Sequence, residues 1–119
     1  MRQDLSEFPV FDHICFSEIT GTAGSASAFL REFLDLTSSH ITLLREELQN
    51  GRTEAAVQIA RMIQENARGV CAVRLEKAAH IIETESESME PEEREQLIQL
   101  LAEEFSRLPD AFEKEGYRL

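Results

Sequence analysis

Three histidines, two cysteines and a set of regularly spaced charges are the residues of this chain able to do chemistry. His80 has the most suggestive neighbours. Glu76 precedes it by four positions and Glu83 follows it by three, a spacing that on a helix sets a carboxylate on either side of one imidazole. Such a face could hold a surface metal ion. The Glu-x-x-His pairs that helical metal centres direct inward from two helices are missing, so no metal or other cofactor is expected. His13 and His40 have no comparable context and read as bystanders. Cys15 and Cys71 lack a CxxC spacing, and each reads as a small buried apolar side chain in a reducing compartment rather than a disulfide partner or metal ligand. No serine elbow or glycine-rich phosphate loop is present, which removes the common hydrolase and nucleotide-binding readings.

The second chemical feature is a stripe. Glu54, Gln58, Arg61, Glu65 and Arg68 recur at alternating intervals of four and three, the period of one exposed helix face, while Ala56, Val57, Ile59, Ala60, Ile63 and Ala67 fall on the opposite side. The chain as a whole carries a formal charge of −11. Residues 52–77 depart from that average, with five cations against three carboxylates, whereas the rest holds seven cations against twenty carboxylates. The overall charge argues against a nucleic-acid partner, which needs clustered Lys and Arg on one face. The local excess of cations suits an acidic protein partner.

The elements that must position these residues are helices. Alternating apolar and polar runs are absent and helix-period patterns dominate from Ser25 onward, so the chain reads as all-α. At 119 residues it is expected to be one domain, 1–119, with no membrane span and no secretory signal peptide, hence cytoplasmic. A short first helix is predicted over Phe11 to Ile19, ended by the breaker Thr20-Gly21-Thr22-Ala23-Gly24. A long amphipathic helix should start near Ser25 or Ser27, carry Phe29, Leu30, Phe33, Leu34, Leu36, Ile41, Leu43, Leu44 and Leu48, and stop at Asn50-Gly51. Thr53 is a plausible cap for the stripe-bearing helix, and Gly69 should mark the turn into a further helix from about Val70 to Thr84. Residues 84–90 read as an acidic linker. Pro91 suits the first position of the last long helix, which Pro109 should interrupt before a frayed tail at Tyr117. Amphipathic helices joined by short loops imply an antiparallel up-and-down four-helix bundle with a short extra N-terminal helix.

Within that layout, Ala60, Ile63, Ala67, Ala72, Leu75 and the closing pair Ile82-Glu83 keep the spacing of a known pattern, and Gly51-Arg52 falls where that pattern has a turn before the helix. The stretch resembles the active segment of histidine phosphotransfer (HPt) domains, approximately A-H-x-L-K-G-S-A, then G-A-x-x-L and a final L-E, and the likeness runs from Phe29 to about Leu108. In that family the exposed histidine accepts a phosphoryl group, and the lysine and glycine after it neutralise charge and allow a receiver domain to approach. Here Arg61 stands at the histidine, Gln64 at the lysine and Glu65 at the glycine. A guanidinium stays protonated and offers no nucleophilic lone pair, so phosphotransfer at this position is not expected.

The resemblance therefore implies a non-catalytic HPt-like protein of two-component signalling, monomeric, that binds a response-regulator receiver domain or a histidine-kinase component through Arg61, Gln64, Glu65 and Arg68. Arg61 could reach the acidic pocket of a receiver in the histidine's place, with Arg68 assisting and Glu65 pairing internally with one of the two. Two alternatives stand beside it. One is a helical adaptor that binds another helical protein through an apolar groove, with Phe8, Phe11, Phe16 and Tyr117 either covering the bundle or exposed to form that contact; the other is an active phosphotransfer protein that uses His80.

Overall fold

The computed structural model describes residues 4–20 and 25–119, and its regular structure is all helical: α1 (His13–Thr20), α2 (Ala26–Gln49), α3 (Thr53–Gly69), α4 (Val73–Glu85), α5 (Pro91–Ser106) and α6 (Leu108–Lys114), with a 3₁₀ turn at Ser86–Ser88. The first three residues and the breaker expected over 21–24 lie outside the described residues. No described helix is long and apolar enough to cross a membrane.

Two helix ends follow directly from glycine. Gly51, at φ +73°, donates to the Leu48 carbonyl while Arg52 donates to Glu47, and Gly116, at φ +95°, repeats the arrangement with Glu113 and Phe112. Both are Schellman stops, which need a left-handed residue just past the helix. The stop of α3 has the same two bonds, Cys71 to Arg68 and Ala72 to Ala67, but its left-handed residue is Cys71 at φ +58°. Gly69, expected to form that turn, is instead the last residue of α3.

α3 packs between α2 and α4, α4 packs on α5, and contacts between α2 and α5 close the circuit. Each contributes fully buried side chains to one core: Leu30, Leu44 and Leu48 from α2, Ile63 from α3, Leu75 and Ile82 from α4, and Ile98 and Leu101 from α5. Alanines at 60, 67, 78 and 79, all buried, let α3 and α4 approach closely. α5 opens with Pro91 as expected and is held by a capping box in which Glu90 and Glu93 satisfy each other's backbone amides.

The ends of the chain depart from expectation. Residues 84–90 are not a linker: α4 runs through Glu85, the Ser86 hydroxyl donates to the Ile82 carbonyl, and Ser86 and Met89 are both buried. Tyr117 is buried rather than frayed, stacked edge-on against Phe16 at 5.5 Å. α1 begins two residues late because Asp12 caps it, accepting from the Cys15 amide at 3.1 Å. Of the two roles open to the terminal aromatic residues, they take the first and cover the core. Phe16 is buried, and Phe11 meets Phe112 edge-on at 4.8 Å. Arg74 fastens the segment before α1, donating to the carbonyls of Phe8 at 2.6 Å and Ser6 at 3.3 Å, and its guanidinium also lies 4.0 Å from buried Glu104.

Candidate functional site

The polar stripe of α3 does not face water alone; it is stitched to α4. Arg61 donates from Nε to Glu83 at 2.8 Å, Gln64 lies 3.1 Å from His80, and Arg68 donates from Nε to Glu76 at 3.0 Å. The three rungs share one register, and only antiparallel helices produce that order. Glu76, His80 and Glu83 are thus each turned towards α3, and no group of three metal-ligating side chains occurs among the described residues. Internal pairing does occur, but with α4 carboxylates rather than with Glu65, which is exposed.

Glu83 is the hub. One carboxylate oxygen accepts from Arg61 and the other accepts from Gln64 Nε2 at 2.7 Å. The Arg61 hydrogen bond holds the Glu83 carboxyl below the usual glutamate range against the opposing effect of burial, and the Gln64 bond adds to it. Glu83 therefore stays ionised at neutral pH and can only accept. Its demand fixes the Gln64 amide with NH₂ towards Glu83, and the Gln64 carbonyl is left to face His80 Nδ1. In neutral His80 the proton consequently sits on Nδ1, and Nε2 carries the lone pair on a side chain that is 57% exposed.

The predicted contact residues separate into two groups. Arg61, Glu65 and Arg68 lie on the surface, whereas Gln64 is buried and serves to orient Glu83 and His80. Arg61 remains half-exposed, with Nη1 also 3.5 Å from Gln58. Its link to Glu83 is a partly exposed ion pair, a class worth roughly 0–1 kcal/mol, too weak to prevent exchange for another carboxylate.

Sequence reasoning missed a neighbouring feature. Phe29, Leu36 and Leu43, counted with the apolar residues of α2, are about half exposed, as is Met62 beside Arg61. Their seven-residue spacing on α2 was the available sign, since a stripe at that interval lies at one edge of the apolar face. A shallow hollow of about 140 Å³, lined by Phe29, Glu32, Phe33, Leu36, Asn66 and Val70, lies along this edge between α2 and α3.

Fold and site together define an all-helical domain with a polar ladder on one helix pair and an exposed apolar edge on the next. No family model, curated protein or solved structure matches the chain.

Proposed function

We propose that this chain is an HPt-like four-helix bundle that has lost the acceptor histidine and binds a response-regulator receiver domain, or a histidine-kinase component, through the face around Arg61, without accepting phosphate there. The observation that carries the reading is the placement of Arg61: half-exposed at the middle of α3, its Nε held by Glu83, at the position where the resemblance puts the acceptor. A guanidinium so held can present its remaining N–H groups to a receiver's carboxylates. Glu65 and Arg68 flank it, and exposed Met62 adds apolar contact. Gln64 acts from behind by orienting Glu83.

The test is binding of wild type, Arg61→Ala and Arg61→Glu to a panel of receiver domains, with and without a phosphoryl mimic on each. One receiver should bind wild type and lose about 30-fold on Arg61→Ala, the size of a buried charged anchor worth about 2 kcal/mol, and more on Arg61→Glu. Binding that ignores both changes, or no binding across the panel, counts against the proposal.

The Gln64 amide favours a second reading in which His80 is the acceptor. Its Nε2 lone pair would attack the phosphorus of an acyl phosphate and displace the carboxylate, while Nδ1–H stays hydrogen-bonded to Gln64. Acid-labile phosphorylation by acetyl phosphate that disappears in His80→Gln is the expected result under this reading. Unlabelled wild type eliminates it.

A further inference from the structure

We propose that Cys15 and Cys71 form a reversible thiol–disulfide exchange site, taking a dithiol or low-molecular-weight thiol as its reagent, and that its redox state decides whether α1 is fastened to the α3–α4 turn. The structure joins the two cysteines across 56 positions of sequence, which corrects the expectation that they are separate thiols. That expectation rested on the missing CxxC spacing and on a reducing compartment, and neither carries information on a contact made by folding α1 back over the turn.

Cys71 occupies an unusual backbone position. It is the left-handed residue of the α3 stop, the place that glycine fills at the ends of α2 and α6, and a side chain there strains the backbone. The same residue is bound twice by the α1 region, through its sulfur to Cys15 and through its carbonyl, which accepts from the Asp12 amide at 2.9 Å. The turn and α1 are therefore held in one joint.

The two cysteines differ in burial. Cys15 is partly exposed and Cys71 is buried, so an incoming thiolate attacks the Cys15 sulfur and the sulfur–sulfur bond breaks. Cys71 leaves as a thiolate two residues ahead of Val73, where α4 begins and the helix dipole is positive, which favours the leaving anion until it takes a proton from solvent. The second thiol of a dithiol, or a second molecule of a monothiol, attacks the reagent's own sulfur in the mixed disulfide, frees Cys15 and leaves the reagent as a disulfide. Two electrons and two protons pass from the reagent to the protein, and the reverse path restores the bond.

Release of this joint has a local consequence. α1 turns Ile14 and Ile19 outward, 74% and 60% exposed, and has one fully buried residue, Phe16. With the covalent tie gone, the aromatic contacts of Phe16 and the bonds at Asp12 and His13 are left to hold α1 in place. Ile19 and Thr20 line a hollow with Ala26, Phe29 and Gly69, so movement of α1 reshapes the exposed apolar edge of α2. The inference does not depend on the receiver-binding reading.

The experiment is amide hydrogen exchange of residues 13–20 in protein equilibrated with glutathione disulfide or with dithiothreitol, alongside thiol alkylation read by intact mass. The oxidised form should take up no alkyl group, and the reduced form should take up one at each cysteine, keep its helical circular dichroism and exchange at least tenfold faster in α1 alone. Cys15→Ser should match the reduced form. Cys71→Gly gives an independent check, because it removes the thiol while supplying the residue the turn prefers; it should fold fully and still show fast exchange in α1. Alkylation of both cysteines after oxidation, equal α1 exchange in both states, or faster exchange through the whole core on reduction would each overturn the proposal, the last by showing a bond that supports the entire fold.

Discussion

Phe112→Ala is expected to destabilise the protein by about 3–5 kcal/mol and to lower its melting midpoint by roughly 10–20 °C. Phe112 is fully buried on the short helix α6 and meets Phe11 edge-on at 4.8 Å and Phe33 at 6.4 Å, so one ring joins the N-terminal segment, α2 and the end of the chain. Truncation leaves a cavity bounded by three separate parts of the backbone, none of which can collapse into it without moving the others. Phe105→Ala serves as the comparison. That ring is only partly buried, and its loss should cost less than half as much. Urea and thermal unfolding followed by circular dichroism measure both variants. A Phe112→Ala cost below about 1 kcal/mol would show that α6 is not part of the cooperative core.

Signals made by neighbouring residues were legible in the sequence. Gly51 ends α2 and Pro91 opens α5 because each meets a backbone requirement stated within one turn of chain. The outer stripe of α3 was equally readable from its period, and Arg61, Glu65 and Arg68 lie on the surface where that period puts them. Contacts between distant segments were not legible. Gln64 matches the stripe in polarity but turns inward because Glu83 and His80, on another helix, satisfy its amide. Phe29, Leu36 and Leu43 match the core in polarity but lie at its edge, since the composition of α2 does not say which arc its neighbours cover. Cys71 was the least legible of all. Neither its left-handed backbone nor its bond to Cys15 follows from the residues beside it.

The ladder between α3 and α4 also explains how the site keeps its shape with weak parts. Each ion pair is partly exposed, yet Gln64 is buried and bonded on both sides, and an amide in that position can adopt one orientation only. Arg61 and His80 are consequently set by a shared neighbour. A change at Glu83 should be felt at both residues, whichever of them a partner touches.

That coupling bears on the largest change in chemistry the proposed family reading allows. The triple variant Arg61→His, Gln64→Lys, Glu65→Gly should convert a protein that takes no phosphoryl group at position 61 into one that accepts up to a full equivalent from a phosphorylated receiver. A histidine at 61 would stand on the exposed face opposite Glu83, whose carboxylate can accept from Nδ1–H and leave Nε2 as the nucleophile. A lysine at 64 replaces the buried Gln64 amide and pairs with the Glu83 oxygen now bonded to it, which keeps that carboxylate ionised and able to orient the new imidazole. Glycine at 65 removes a carboxylate and side-chain bulk from the approach path at a helix cost of about 1 kcal/mol. The triple variant is made in a His80→Gln background, so that any acid-labile label mapped by tandem mass spectrometry to residue 61 cannot have come from its neighbour. A folded variant that stays unlabelled by every receiver tested would argue that position 61 does not correspond to the acceptor, and the HPt reading of α3 would fall with it.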